Sequence, residues 1–430
     1  MSTPPQAPAP PLSPADALSL ARTEYAALKA RGLHLDLTRG KPSAAQLDLA
    51  APMLQLSPDQ YTAADGTDCR NYGGDPYGLP ELREIFAPAL NVPAAQLVAA
   101  GNSSLELMHD CLVYALLGDL PGSWRRWADE PRVAFLCPVP GYDRHFDLCE
   151  RLGIELIPVP LTDQGPDMDV VEELAATDPA IKGIWCVPRY SNPDGTCYSE
   201  DTVRRLAAMP AAAPDFRVFW DDAYAVHHLT DQETGLGDIL GACAQAGHAD
   251  RVFVFGSTSK ITHAGAGVAF LGSSPANLEW MRGYVSKRSI GPDKLNQLRH
   301  ARFLRDADGL RAHMQAHRRI LAPKFEAVFD TFRREFEGTG LASWTTPKGG
   351  YFITLRVPDG CAREVVRLCA EAGINVTPAG STHPYRDDPQ DSYIRIAPSF
   401  PPLDEVEQFA HALTVCVRLA AYTKLDNENG

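Results

Sequence analysis

None of the ten cysteines is spaced as a C-x-x-C pair, and no apolar run approaches the roughly 20 residues that span a bilayer. The first absence removes the common structural-zinc and redox motifs, and the second removes a membrane span. Missing too is a basic-then-apolar leader at the amino terminus, so nothing marks export. Positive charge is in deficit: 40 Lys and Arg stand against 54 Asp and Glu, a formal net charge of -14. That balance opposes a nucleic-acid backbone, which is gripped by clustered cations. Neither nucleic acid nor membrane is expected as a partner. Internal repeats are absent as well. The expected setting is a reducing cytoplasm, with Cys111, Cys137, Cys186 and Cys416 lying in apolar runs as small core residues.

What is present supports two cores. At 430 residues, 45% of them hydrophobic, the chain exceeds what a single core usually holds. The expected division is a proline-rich mobile arm over 1–14, a large domain over 76–304, and a smaller α/β domain formed by 15–75 together with 305–430. Ser13-Pro14-Ala15-Asp16 reads as a helix start, with a capping serine and a proline at the first helical position. Leu33, Leu35 and Leu37 alternate as a short strand does. Further on, helix-forming and strand-forming segments alternate, which predicts a three-layer, mainly parallel sheet with helices on both faces.

Four strand ends carry the chemistry. Arg251-Val-Phe-Val-Phe-Gly256 delivers Ser257, Ser259 and Lys260; Phe216 to Trp220 delivers Asp221, Asp222 and Tyr224; Ile181 to Val187 leads to Asn192-Pro193; Val133 to Cys137 leads to Tyr142. Open α/β sheets bind ligands at such carboxyl edges. Singly, each has an ordinary reading: a solvated loop lysine, an aspartate closing a turn, a tyrosine packing with a wet tip. Together they supply what an aldehyde cofactor needs, namely an amine to form a Schiff base, an acid beside the pyridine nitrogen, donors to the phenolic oxygen and a ring to stack on. Ser103 and Ser104 open a helix whose free amides and hydroxyls suit a phosphate, although Ser103 also reads as a plain N-cap. The carboxyl-terminal part is expected to hold a long helical stretch, 297–337, then strands over Gly349–Leu355 and Tyr393–Ala397.

Asn192-Pro193, Asp221-x-Ala223-Tyr224 and Ser257-x-Ser259-Lys260, with Arg395 near the end, resemble the fold-type I pyridoxal-phosphate aminotransferases. Leu37-Thr-Arg-Gly-Lys-Pro-Ser43 and Cys137-Pro-Val-Pro-Gly-Tyr-Asp-Arg-His-Phe146 are similar to the bacterial aspartate aminotransferases of the type Ic branch, over about residues 15–422. The resemblance implies a homodimer that uses pyridoxal 5'-phosphate to exchange an amino group between amino acids and 2-oxo acids. It implies Lys260 as the Schiff-base lysine and proton shuttle, Asp221 at the ring nitrogen, Asn192 and Tyr224 at the phenolic oxygen, and Tyr142 on the ring face. Ser103, Ser104 and Ser257 would hold the phosphate, with Tyr72 reaching in from the second subunit. Arg395, helped by Asn192 and the Gly40 backbone, would take the substrate α-carboxylate.

The chain departs from that pattern in two places. Many relatives carry a phosphate-binding arginine eight residues after the lysine, where this chain has Val268; Lys287, Arg288 and Lys294 are the candidate substitutes. The glycine spacing in the Tyr72 loop also differs by one residue. For a substrate side-chain carboxylate, Arg39, Lys41 and Arg144 are candidate cations. His313 and His317 are four apart on a helix but lack the glutamate of a zinc-protease motif, so no metal is expected, and His227-His228 reads as structural. Two rivals to an aspartate transaminase remain: another pyridoxal-phosphate enzyme on the same fold, such as a lyase, a decarboxylase or an aminotransferase of another amino acid, and an effector-sensing transcription regulator. The regulator would carry a basic winged-helix segment in front, where only the arm and one helix precede residue 33.

Overall fold

The computed structural model describes residues 13–55 and 60–429; the proline-rich stretch up to residue 12 lies outside the described residues. The first helix, Pro14–Ala30, is capped as its sequence suggests, with the Asp16 amide donating to the Ser13 hydroxyl at 3.2 Å. The strands in chain order are β1 (Leu35–Asp36), β2 (Leu97–Ala99), β3 (Ala134–Val139), β4 (Glu155–Thr162), β5 (Gly165–Pro166), β6 (Ile181–Cys186), β7 (Arg217–Asp221), β8 (Val252–Ser257), β9 (Ala269–Gly272), β10 (Ser343–Trp344), β11 (Ile353–Arg356), β12 (Ile374–Asn375) and β13 (Tyr393–Ile396).

Eight of them form one sheet in the order β2-β9-β8-β7-β6-β3-β4-β5. The middle of the sheet, from β4 through β8, is parallel, and antiparallel pairing is confined to β9 and β2 at one edge and β5 at the other. The parallel interior explains the unbroken apolar runs, since β6 and β7 are buried at every position. Side chains alternate between two cores: Val218, Trp220, Val252 and Val254 enter one, while Phe219, Phe253 and Phe255 enter the other. A further core joins residues 18–37 to residues 325–421 around β11 and β13.

Strand order reverses at β3. The chain leaves β3 toward β4 on one side and then builds β6, β7 and β8 on the other. Crevices for ligands open outside the carboxyl ends of strands at such a reversal. Those ends are where Tyr142, Asn192, Asp221 and Lys260 emerge.

Several expectations need correction. The helical stretch expected over 297–337 is two helices, Lys294–Leu304 and Ala307–Phe336, broken where Arg305 takes a left-handed φ of 68° and Asp306 caps the second helix by accepting from the Gly309 amide at 2.7 Å. The strand expected from Gly349 begins only at Ile353. Gly349 and Gly350 instead lie against Tyr190, so close that a Cβ on Gly349 would come within 2.3 Å of its ring. Of Leu33–Leu37, only Leu35 and Asp36 pair, in parallel with β12. The last helix, expected from about Leu403 to Tyr422, runs on to Asn429.

At the opposite end of the sheet from these loops, buried Asp215 accepts from Lys182 Nζ at 2.9 Å and from Trp127 Nε1 at 2.7 Å. Removing one partner of a buried ion pair leaves a charge without compensation. Asp215→Ala should therefore lose about 3–5 kcal/mol of stability in urea unfolding followed by tryptophan fluorescence; a loss under about 1 kcal/mol would show that Lys182 and Trp127 find other partners.

Candidate active site

The loop after β8 turns sharply. Ser257 Oγ donates to Ser259 Oγ at 3.1 Å, and Lys260 follows with its Nζ 5.1 Å from the centre of the Tyr224 ring. Desolvation lowers the Lys260 pKa below the ordinary lysine value, against the opposing pull of the Asp221 charge. More of such an amine is neutral near neutral pH than of a surface lysine, and only the neutral form can attack a carbonyl or take up a proton.

The lysine's backbone is held from below. Tyr351 Oη donates to the Lys260 carbonyl at 3.2 Å, His227 Nε2 lies 3.4 Å from the same oxygen, and His313 Nε2 lies 2.7 Å from the Ile261 carbonyl. Gln46 Nε2 bonds both Tyr351 Oη, at 2.8 Å, and His317 Nδ1, at 3.1 Å. Burial lowers the pKa of each of these histidines, and that of His317 falls to about 4. His313 and His317 therefore brace the lysine loop as neutral rings. Among the described residues, no group of three or more His, Cys, Asp or Glu side chains could hold a metal ion.

Asp221, at the end of β7, is 4% exposed. Its Oδ2 meets His145 Nε2 at 3.1 Å, and the His145 ring stacks on Trp185 with centroids 4.2 Å apart. Its Oδ1 is buried with no hydrogen-bond partner among the described residues. An unpaired buried acceptor costs about 1–3 kcal/mol, a cost that a ligand N–H placed at Oδ1 would remove. Tyr142 lies edge-on to His145 at 4.9 Å, and burial beside the Asp221 and Asp143 charges raises its pKa. Tyr224 is fully buried, and desolvation holds its hydroxyl well above the usual tyrosine range.

The loops after β6 and β7 are locked together by Arg189, whose Nε sits 3.0 and 3.1 Å from the two carboxylate oxygens of Asp222. That pair sets Asn192 and Asp221 relative to each other. Asn192 Oδ1 in turn accepts from Arg395 Nη1 at 3.4 Å. The Arg395 guanidinium lies 5.1 Å from the centre of the Phe352 ring, and a Cβ on Gly40 would sit 2.4 Å from the same ring. Asn192 and Gly40 are thus both tied to the Arg395 surroundings, the first directly and the second through Phe352, and a side chain at position 40 would push on that ring.

Ser103 occupies the N-cap position of helix Ser104–Leu117 without making a side-chain cap bond, so its hydroxyl is not spent on the helix. Asn102 Oδ1 accepts from the Gly267 amide at 2.7 Å, and Thr258 Oγ1 accepts from the Val268 amide at 2.8 Å. These bonds draw the helix start toward the Ser257 loop and leave Val268 in the core. Of the candidate substitutes for an arginine there, Arg288 is committed to Glu106 and Asp110, Lys294 donates to the Gly73 carbonyl, and Lys287 is exposed. Arg39, Lys41 and Arg144 are exposed, with Lys41 resting on Phe400 and Arg144 near Asp147. Tyr72 stands apart from the cluster, 76% exposed beside Ile290 at 77%.

The model of a family described as aspartate amino-transferase matches residues 11–429. The chain belongs to the aspartate aminotransferase family. A protein of Mycolicibacterium smegmatis assigned to the aminotransferases is 55% identical over 94% of each chain, and the aspartate aminotransferase of Corynebacterium glutamicum is 48% identical over 93% of this chain and 92% of its own. A crystal structure of an aspartate transaminase from Corynebacterium glutamicum superposes with a TM-score of 0.94 over 96% of this chain and 97% of that one, at 47% identity. The α-aminoadipate aminotransferase of Thermus thermophilus, crystallised with N-(5'-phosphopyridoxyl)-L-leucine, shares the fold at a TM-score of 0.72 and 20% identity, covering 96% and 100% of the two chains. Aminotransferases of this fold depend on pyridoxal phosphate.

Sequence reading passed over His145, Tyr351, Phe352 and Gln46. A signal existed for two of them. His145 follows Tyr142 by three residues, one helical turn, and Tyr351 follows a Gly-Gly pair that needs close backbone approach. The unfolded chain takes up a proton on His317 near pH 6.5, whereas the folded one does so only near 4. Acidification through that window therefore favours unfolding, and stability should fall from pH 6.5 toward 4. His317→Gln should flatten this part of the pH profile of the melting temperature; an unchanged slope would contradict a neutral His317.

Proposed function

We propose that this aminotransferase moves the amino group of aspartate to 2-oxoglutarate, giving oxaloacetate and glutamate, with pyridoxal 5'-phosphate bound at the carboxyl edge of β3, β6, β7 and β8. The observation that carries the reading is the partnerless Oδ1 of Asp221, on a carboxylate held by His145 and within electrostatic reach of the Lys260 amine. When bound, pyridoxal phosphate supplies an aldehyde that joins covalently to an amine and a ring that withdraws electrons from the substrate α-carbon.

Each role then falls to a residue of this chain. Asp221 Oδ1 accepts the ring N–H and favours the protonated ring, as a carboxylate does for a neighbouring cation. Asn192 and Tyr224 donate to the phenolic oxygen, and Tyr142 covers the ring face. Ser103, Ser104 and Ser257, with the free amides of the helix start, hold the phosphate. Lys260 Nζ would hold the cofactor aldehyde and would take the proton from the substrate α-carbon. Burial favours the neutral amine that this step requires. Arg395, set by Asn192 and the Gly40 loop, takes the α-carboxylate.

The working form in this reading is a cytoplasmic homodimer of two-domain subunits, with 15–75 and 305–430 forming the smaller domain, and with Tyr72 completing the phosphate site of the second subunit. The exposure of Tyr72 next to Ile290, and ten free cysteines, support it.

Incubation with aspartate and 2-oxoglutarate should yield oxaloacetate and glutamate in equal amounts. Release of ammonia, or of a decarboxylated product, would contradict the transfer. Lys260→Ala should lower turnover by a factor of about 10²–10⁴ and abolish the visible absorption of the lysine-held cofactor; retention of either would remove the lysine from its role.

A further inference from the structure

Arg395 is already paired. Its Nη1 meets Asp143 Oδ1 at 2.9 Å, the one short charge-assisted bond the guanidinium makes among the described residues. Its other contacts, Nη1 to Asn192 Oδ1 and Nε to Thr377 Oγ1, are at 3.4 Å, the long limit of a hydrogen bond. Nη2 has no hydrogen-bond partner among the described residues. The Arg395 side chain is 7% exposed while that of Asp143 is 30% exposed, so the anion sits on the open side of the cation.

A carboxylate can fork onto a guanidinium side-on through Nε and Nη2, as Asp222 does on Arg189, or end-on through Nη1 and Nη2; with Arg395 Nε turned to Thr377 Oγ1, the end-on edge is the open one. Asp143 holds Nη1 of that edge, and a second carboxylate brought to it meets the repulsion of a like charge. Asp143 also has somewhere else to go. It is the first residue of helix Asp143–Leu152, where the free amides and the helix dipole stabilise a carboxylate whether or not the arginine is present. Its neighbour Gly141 donates its amide to the Thr382 carbonyl at 2.8 Å, which fixes the backbone and leaves the exchange to the side chain.

We propose that Asp143 is an internal counter-ion for Arg395: its carboxylate occupies the guanidinium in the free site and is displaced by the substrate α-carboxylate. The pairing keeps a buried cation compensated between turnovers, and it weakens binding of every carboxylate ligand by the strength of the pair that must be broken. Asp143 is thus a positioning and affinity-setting residue. The proposal rests on Arg395 being the α-carboxylate site, as the function proposed above requires.

The test uses succinate, a dicarboxylate with no amino group to react, titrated into the cofactor-loaded parent and into Asp143→Asn, which keeps the shape and removes the charge. Asp143→Asn should bind succinate at least fivefold more tightly, and the KM for aspartate should fall while kcat does not rise. Equal or weaker succinate binding by Asp143→Asn would overturn the proposal. Should that variant not fold, a crystal structure of the parent with succinate decides: Asp143 more than 4 Å from Arg395 Nη1 supports the exchange, and the pair intact beside bound succinate refutes it. A parent that makes no oxaloacetate from aspartate and 2-oxoglutarate would overturn the functional reading instead, whatever the succinate result.

Discussion

A carboxylate buried at the end of a central parallel strand, with one oxygen tied to a histidine and the other left without a partner, is the feature on which this molecule turns. Desolvating Asp221 is unfavourable, and the His145 contact offsets only part of that. The fold accepts the remainder because β7 is fixed on both sides by parallel neighbours and the aspartate has no freedom to swing toward water. Strain of this kind collects where a site is prepared for something the chain alone does not supply.

The rest of the site is arranged so that this carboxylate and one amine keep their relation. The Arg189–Asp222 pair joins the loops after β6 and β7, while Tyr351, His227 and His313 grip the carbonyls of Lys260 and Ile261. Most of the supporting residues come from outside the large sheet: Gln46 precedes it in the chain, and His313, His317 and Tyr351 follow it. The lysine is therefore held by both halves of the chain. Arg395, which crosses to Asp143 and Asn192, makes the same connection on the substrate side.

Much of this was legible in the sequence, and the parts that were not share a cause. The parallel strands could be read because they are buried on both faces and so appear as unbroken apolar runs. The ends of those runs gave Tyr142, Asn192, Asp221 and Lys260 directly. The edge strand β5, the antiparallel β9 and the helix Pro275–Arg288 carried weaker patterns, and the break at Arg305 depended on a capping aspartate inside an otherwise helical stretch. The braces around the lysine were hidden for a different reason. Gln46, His313, His317 and Tyr351 are far apart in sequence, and each has an ordinary local reading; only the tertiary fold makes them one network. The same holds for Asp143, whose partner is 252 residues away.

The account stands most directly on where the cofactor's ring nitrogen lies. A crystal structure of the protein with pyridoxal 5'-phosphate should show density continuous from Lys260 Nζ into the cofactor, and the ring nitrogen at about 2.7–2.9 Å from Asp221 Oδ1, the length of a charge-assisted bond. A cofactor bound with Lys260 free, or with its ring nitrogen turned away from Asp221, would contradict it.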